Sequence, residues 1–133
     1  MVKEGELYKC SVCGNLVEIK VVGGGTLVCC GKPMDLASAD TGSDQTGDAE
    51  KHTPIIEVKG EKEIYVKVGK VEHPMTVDHY IQWIEISVDG SLYVKSLNAW
   101  DKPEATFRVH TGRKITARIK CNLHGIWKAV YGQ

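Results

Sequence analysis

From residue 53 onward the chain alternates apolar and polar positions with the period of a β-strand. Ile84, Ile86 and Val88 interleave with Glu85, Ser87 and Asp89, the pattern of a strand with one buried face. Residues 55–58, 63–68 and 80–88 are rich in β-branched and aromatic side chains, and 92–94, 105–110, 114–120 and 126–131 complete about seven short strands. Asp89-Gly90 reads as a tight hairpin turn. No segment keeps a helical period over ten residues. Short strands punctuated by Gly and Pro predict an immunoglobulin-like antiparallel β-sandwich.

The first 36 residues read differently. Strand-like runs at 7–9, 16–22 and 26–28 are separated by Gly14, Gly23-Gly24-Gly25 and Gly31. A segment this short buries too little apolar surface to fold unaided, and below ~40 residues a metal or disulfides usually supply the difference. Residues 37–49 carry no large apolar side chain. The expected organisation is therefore all-β: a metal domain at 1–36, a linker at 37–49 and the sandwich at 50–133.

Composition narrows the class. Lys and Arg number 17, as do Asp and Glu, so no bulk charge draws the chain to nucleic acid or an anionic membrane. The aromatics are not interleaved with a basic stripe. No run approaches the ~18 apolar residues of a membrane span, and no apolar stretch follows the N-terminal residues as in a secretory signal. A cytoplasmic protein is expected. Its five cysteines are an odd number, and Cys29 and Cys30 are adjacent, where a disulfide would be strained. In a reducing compartment such cysteines bind metal or do chemistry.

Cys10-x-x-Cys13 has the spacing at which one turn aims two sulfurs at one ion, and Cys29-Cys30 would complete a four-thiolate site if the neighbours splay apart. Zinc and iron both accept such a site; zinc there is structural, whereas iron can relay one electron. Four of the five histidines lie in suggestive contexts: Glu50-Lys51-His52, His73-Pro74-Met75, Asp78-His79-Tyr80 and Cys121-Asn122-Leu123-His124-Gly125. Each alone reads as an ordinary turn residue. Together with Cys121, which has no partner among the first four cysteines, they form a candidate set of four imidazoles and one thiolate. That exceeds the usual four ligands of zinc and suits iron with one position open. A thiolate ligand would push electron density toward whatever binds there. His110 matches no such context. A reading of another class stays open: a zinc ribbon joined to a sandwich that serves protein interaction or electron transfer, with the Cys121–His124 arrangement a coincidence.

With these residues, nearly the whole chain resembles desulfoferrodoxin, the two-iron class of superoxide reductase. Cys10-x-x-Cys13 and Cys29-Cys30 match its desulforedoxin-like domain, and Glu50-Lys51-His52, His73-Pro-Met, His79-Tyr80 and Cys121-Asn-x-His124-Gly match its catalytic domain. The resemblance implies two non-haem irons per chain. One is a rubredoxin-type iron on Cys10, Cys13, Cys29 and Cys30, expected to act as an electron relay. The other is held by His52, His73, His79 and His124 in a plane, with Cys121 axial. It implies one-electron reduction of superoxide to hydrogen peroxide, with Glu50 closing the vacant position in the ferric state and Lys51 assisting. It also implies a homodimer fed by a reduced rubredoxin-like or flavoprotein donor. Two departures bear on the Glu50-Lys51 loop: the preceding linker is long and polar, and Thr53 stands where an aliphatic residue is more usual.

Overall fold

A computed structural model describes residues 2–40 and 47–132. The chain divides into two compact units, Met1–Ser38 and Ala39–Gln133.

The first unit is built of scraps of strand. β1 (Leu7–Lys9) lies between β2 (Leu16–Glu18) and β5 (Asp35–Leu36), and β3 (Val28–Cys29) pairs with β4 (Lys32–Pro33). The predicted run 16–22 is strand only as far as Glu18. Beyond it Val21 and Val22 are exposed, so nothing there rewards extension of the ladder.

The second unit has two sheets. The larger has the order β10-β9-β12-β13-β6 and the smaller β11-β8-β7. Their strands are β6 (Ala39–Asp40), β7 (Pro54–Val58), β8 (Ile64–Val68), β9 (Ile81–Val88), β10 (Ser91–Ser96), β11 (Glu104–Phe107), β12 (Lys114–Cys121) and β13 (Gly125–Gly132). All pairings are antiparallel except β13 with β6. This is the expected sandwich, and its strands fall where the alternation put them, except that the run predicted at 105–110 is strand only as far as Phe107. Ile64, Val66 and Val68 of β8, Ile84, Ile86 and Val88 of β9, and Ile115, Ala117 and Ile119 of β12 meet in one core. Asp89 and Gly90 both have positive φ, 47° and 94°, as a two-residue hairpin with the twist of its strands requires. The outward face carries one buried ion pair across β9 and β12, with Arg118 Nε donating to Glu85 Oε1 at 2.7 Å.

Of the span read as a linker, residues 41–46 lie outside the described residues. Ala39 and Asp40 run beside Ile126 and Trp127 of β13. Residues 47–49 begin the short helix α1 (Gly47–His52). Six residues are too few for a helical period to be legible in a sequence.

Candidate metal centres

In the first unit Cys10, Cys13, Cys29 and Cys30 converge, their sulfurs all within 4.8 Å of one another. Two backbone features bring this about. After Cys10 the chain turns back, Gly14 N–H donating to the Cys10 carbonyl at 3.0 Å with Gly14 at φ 82°. The adjacent pair is splayed by a left-handed residue: Cys30 has φ 52°, rare outside glycine, and Gly31 follows at 74°. The N–H groups of Val12 and Cys13 both donate to Cys10 Sγ at 3.4 Å. Those two donors, Cys13 first, hold the Cys10 thiol down at about 6. The same crowding drives Cys30 up to about 12, because hydrogen bonds to Cys13, Cys10 and Cys29 favour its protonated form and burial adds to them. One thiolate is thus favoured within the cluster, while its crowded neighbour Cys30 holds its proton more tightly.

Its dimensions suit such a cation. A tetrahedral ion with metal–sulfur bonds of ~2.3 Å places its sulfurs ~3.8 Å apart. Cys13 Sγ and Cys29 Sγ are 3.6 Å apart.

The second cluster sits at one end of the sandwich, where β12 ends and β7, β9 and β13 begin. His52 closes α1, and His73 and His79 lie on the connection from β8 to β9. Cys121 ends β12, and His124 lies in the turn to β13. That turn is short because Cys121 pairs with Gly125 across it. Gly125 has φ 80°, and a Cβ there would meet nothing, so backbone conformation rather than space calls for glycine. A register shift between Lys120 and Cys121 interrupts the ladder with β9, setting Cys121 opposite Ile81. It is a bulge of the kind that re-aims a side chain beside a site.

The four imidazoles form a ring. Neighbouring centroids are 4.6 Å (His52–His73), 4.7 Å (His73–His79), 5.0 Å (His79–His124) and 4.9 Å (His124–His52), and adjacent planes stand 70–80° apart. The diagonal from His52 to His79 is 6.3 Å, close to that of a square. His73 Nδ1 donates to the Pro74 carbonyl at 2.6 Å, so its Nε2 presents a lone pair. Burial pushes His73 down to about 4, with the neighbouring imidazoles adding to it, so the His73 imidazole is neutral near pH 7. That Nε2 lies 3.1 Å from His52 Nε2, which lies 3.2 Å from His124 Nδ1, and Cys121 Sγ is 3.6 Å from the same Nδ1. Nitrogens and a sulfur gathered this closely can share one cation. The donor set, imidazoles with one thiolate, fits a divalent transition metal.

Cys121, His52 and His73 are buried, whereas His124 is exposed, so the cluster is walled by core on one side and reaches solvent on the other. Glu50 and Lys51 precede His52 on α1 and are exposed. Their loop is held: Val71 N–H donates to the Glu50 carbonyl at 3.1 Å and Gly69 N–H to the Thr53 carbonyl at 3.2 Å. Gly69, at φ 89°, packs so closely on the Lys51 carbonyl that a Cβ there could not be accommodated. The Thr53 hydroxyl is buried with no hydrogen-bond partner. His110 is exposed and apart from the cluster, its Nδ1 donating to the Thr111 carbonyl at 3.2 Å.

Asn122 gained no role of its own from the sequence. Its Oδ1 accepts from Tyr80 N–H at 2.9 Å and its Nδ2 donates to the Asp78 carbonyl at 3.0 Å, pinning the loop of His79 to the loop of Cys121. Its place between Cys121 and His124 was the available signal.

Comparison with known proteins places both units. The Desulfoferrodoxin family model matches residues 44–130, and the model described as Desulfoferrodoxin, N-terminal domain, matches residues 2–37. A desulfoferrodoxin from Nitratidesulfovibrio vulgaris is 49% identical over 97% of this chain and 98% of its own. A desulfoferrodoxin homolog from Archaeoglobus fulgidus is 48% identical over 93% of this chain and 95% of its own. The crystal structure of the superoxide reductase from Treponema pallidum superimposes with a TM-score of 0.72 at 30% identity, covering 97% of this chain and 99% of that one.

Proposed function

This chain belongs to the desulfoferrodoxin family, and we propose from that premise that it reduces superoxide to hydrogen peroxide at its second cluster, the first holding a four-thiolate iron. His52, His73, His79, His124 and Cys121 would hold the reacting iron, and Cys10, Cys13, Cys29 and Cys30 the other. When bound, a ferrous ion at the second cluster supplies one electron to superoxide; two protons from solvent complete hydrogen peroxide.

The observation that carries this reading is the convergence of ring nitrogens and the Cys121 sulfur at a site that is buried behind and open in front. The chain's own residues do the rest. Neutral imidazoles and a single thiolate leave a bound divalent ion a net positive charge near +1, which favours an anionic substrate. The exposed edge at His124 lets water reach the site, so no buried acid is needed. Lys51 attracts the anion and orders a proton-donating water. Glu50, beside it on α1, swings its carboxylate over the cluster in the oxidised protein and helps product leave. A reduced rubredoxin-like protein or flavoprotein is the proposed donor, with the first iron as relay, in a homodimer in the cytoplasm. Five unpaired thiols favour a reducing setting. No helix among the described residues is long and apolar enough to cross a membrane.

Stopped-flow mixing of the reduced, iron-loaded protein with superoxide tests the function. One peroxide should form per superoxide consumed, without dioxygen; dioxygen release would mean dismutation instead. In the same assay Lys51→Ala should slow the second-order step about three- to tenfold at low ionic strength. The difference should vanish near 1 M salt, where the Debye length is ~3 Å. Glu50→Ala should leave that step intact and change the ferric spectrum. A salt-independent Lys51→Ala rate equal to wild type would remove the steering role, and an unchanged Glu50→Ala spectrum the carboxylate's.

A further inference from the structure

We infer that Trp127 is a positioning residue for the second cluster, fixing two of its imidazole-bearing elements at once. The inference rests on the reading of that cluster as a metal site. The Trp127 indole stacks on the His52 ring, with centroids 5.0 Å apart and planes 19° apart. This is offset stacking, worth more than the buried area alone. Its Nε1–H donates to the His124 carbonyl at 3.0 Å. One side chain therefore covers a face of His52, at the end of α1, and ties down the turn that carries His124.

Both elements need such a hold. α1 has only six residues, too few to be stable by itself. The turn 122–124 depends on a positive-φ glycine and has Leu123 exposed. Trp127 itself is packed on all sides: it is 3% exposed, lies opposite Ile119 in the β12–β13 ladder and belongs to the core. The ring thus couples the sheet to two imidazoles that lie 72 residues apart in the chain. Its approach to His52 restricts the plane in which that imidazole presents Nε2, 3.1 Å from His73 and 3.2 Å from His124. Residues that orient metal ligands usually matter about 10–100-fold in affinity or activity.

Two variants separate positioning from packing. Trp127→Phe keeps a ring to stack on His52 and removes the N–H donor; Trp127→Leu removes both. Ferrous affinity of the second cluster, measured by competition with a chelator, should fall about tenfold in Trp127→Phe and toward a hundredfold in Trp127→Leu. The ferric spectrum of that cluster should shift in the same order, while the absorption of the four-thiolate iron stays constant as an internal reference. Should Trp127→Leu fail to fold, Trp127→Phe carries the test. Folded variants with lowered melting temperature but wild-type affinity and spectrum would reduce Trp127 to packing and overturn the inference. A wild-type protein that binds no iron at the second cluster would instead overturn the proposed function, so the two failures are distinct.

Discussion

Cys121→Ser is expected to abolish superoxide reduction while leaving the fold standing. The side chain is fully buried at the end of β12, and its sulfur lies 3.6 Å from His124 Nδ1. Serine has nearly the same shape, so the core around Ile81 and Ile119 loses little. What is lost is the thiolate. A serine hydroxyl does not ionise near neutral pH, so the site keeps its imidazoles and loses its only anionic donor. The push that a thiolate gives to an opposite ligand disappears with it. The rate constant should fall about a hundredfold or more, which corresponds to ~2.7 kcal/mol or more in the barrier. The sulfur-to-metal charge-transfer band should vanish in the same protein. Stopped-flow kinetics and the absorption spectrum of one preparation check both. Full activity without that band would show that the sulfur is not part of the chemistry.

How far the sequence reaches can be judged from where it stops. The strands of the sandwich were legible because each is half-buried, so the alternation that specifies its register is written in the residues: Ile84, Ile86 and Val88 face inward and take β12 as partner at Ile119, Ala117 and Ile115. The two sets of candidate ligands were legible because metal chemistry restricts residue types and spacings. Less was legible where structure depends on partners distant in the chain. Ala39 and Asp40 have no strand signal of their own and are extended because β13 offers a free edge. α1 is too short to show a period, and it and the following Thr53 are held by backbone bonds from Val71 and Gly69. Asn122 and Trp127 look ordinary in sequence, since their roles lie in bonds to Asp78, Tyr80 and His124 and in a stack on His52. The left-handed turn at Cys30 shows how adjacent cysteines reach one point, a matter of backbone conformation that residue types alone leave undetermined.

Removing the metal from the first unit is expected to unfold that unit and spare the second. Among its described residues only Leu7 and Cys10 are buried, and Cys10 is itself a candidate ligand. Val12, Val21, Val22, Val28 and Leu36 are all exposed. Strands of two or three residues cannot offset the ordering entropy of such a segment. Structural four-ligand sites contribute about 10–16 kcal/mol in small metal-dependent domains, which is folding free energy there. Cys10→Ser removes the thiolate that Val12 and Cys13 hold by their N–H groups, and the remaining three sulfurs should no longer retain an ion. Amide resonances of residues 2–38 should then collapse toward random-coil positions and exchange without protection. The second unit has its own core, from Ile64 to Trp127, so its melting temperature should stay within a degree or two of wild type. Its reaction with superoxide, with electrons supplied by a small-molecule reductant, should proceed at the wild-type rate. Protected amides in 2–38 of the metal-free variant would mean that the segment folds by packing the structure does not reveal. A lost superoxide reaction would mean that the first iron takes part in the chemistry rather than in supplying electrons to it.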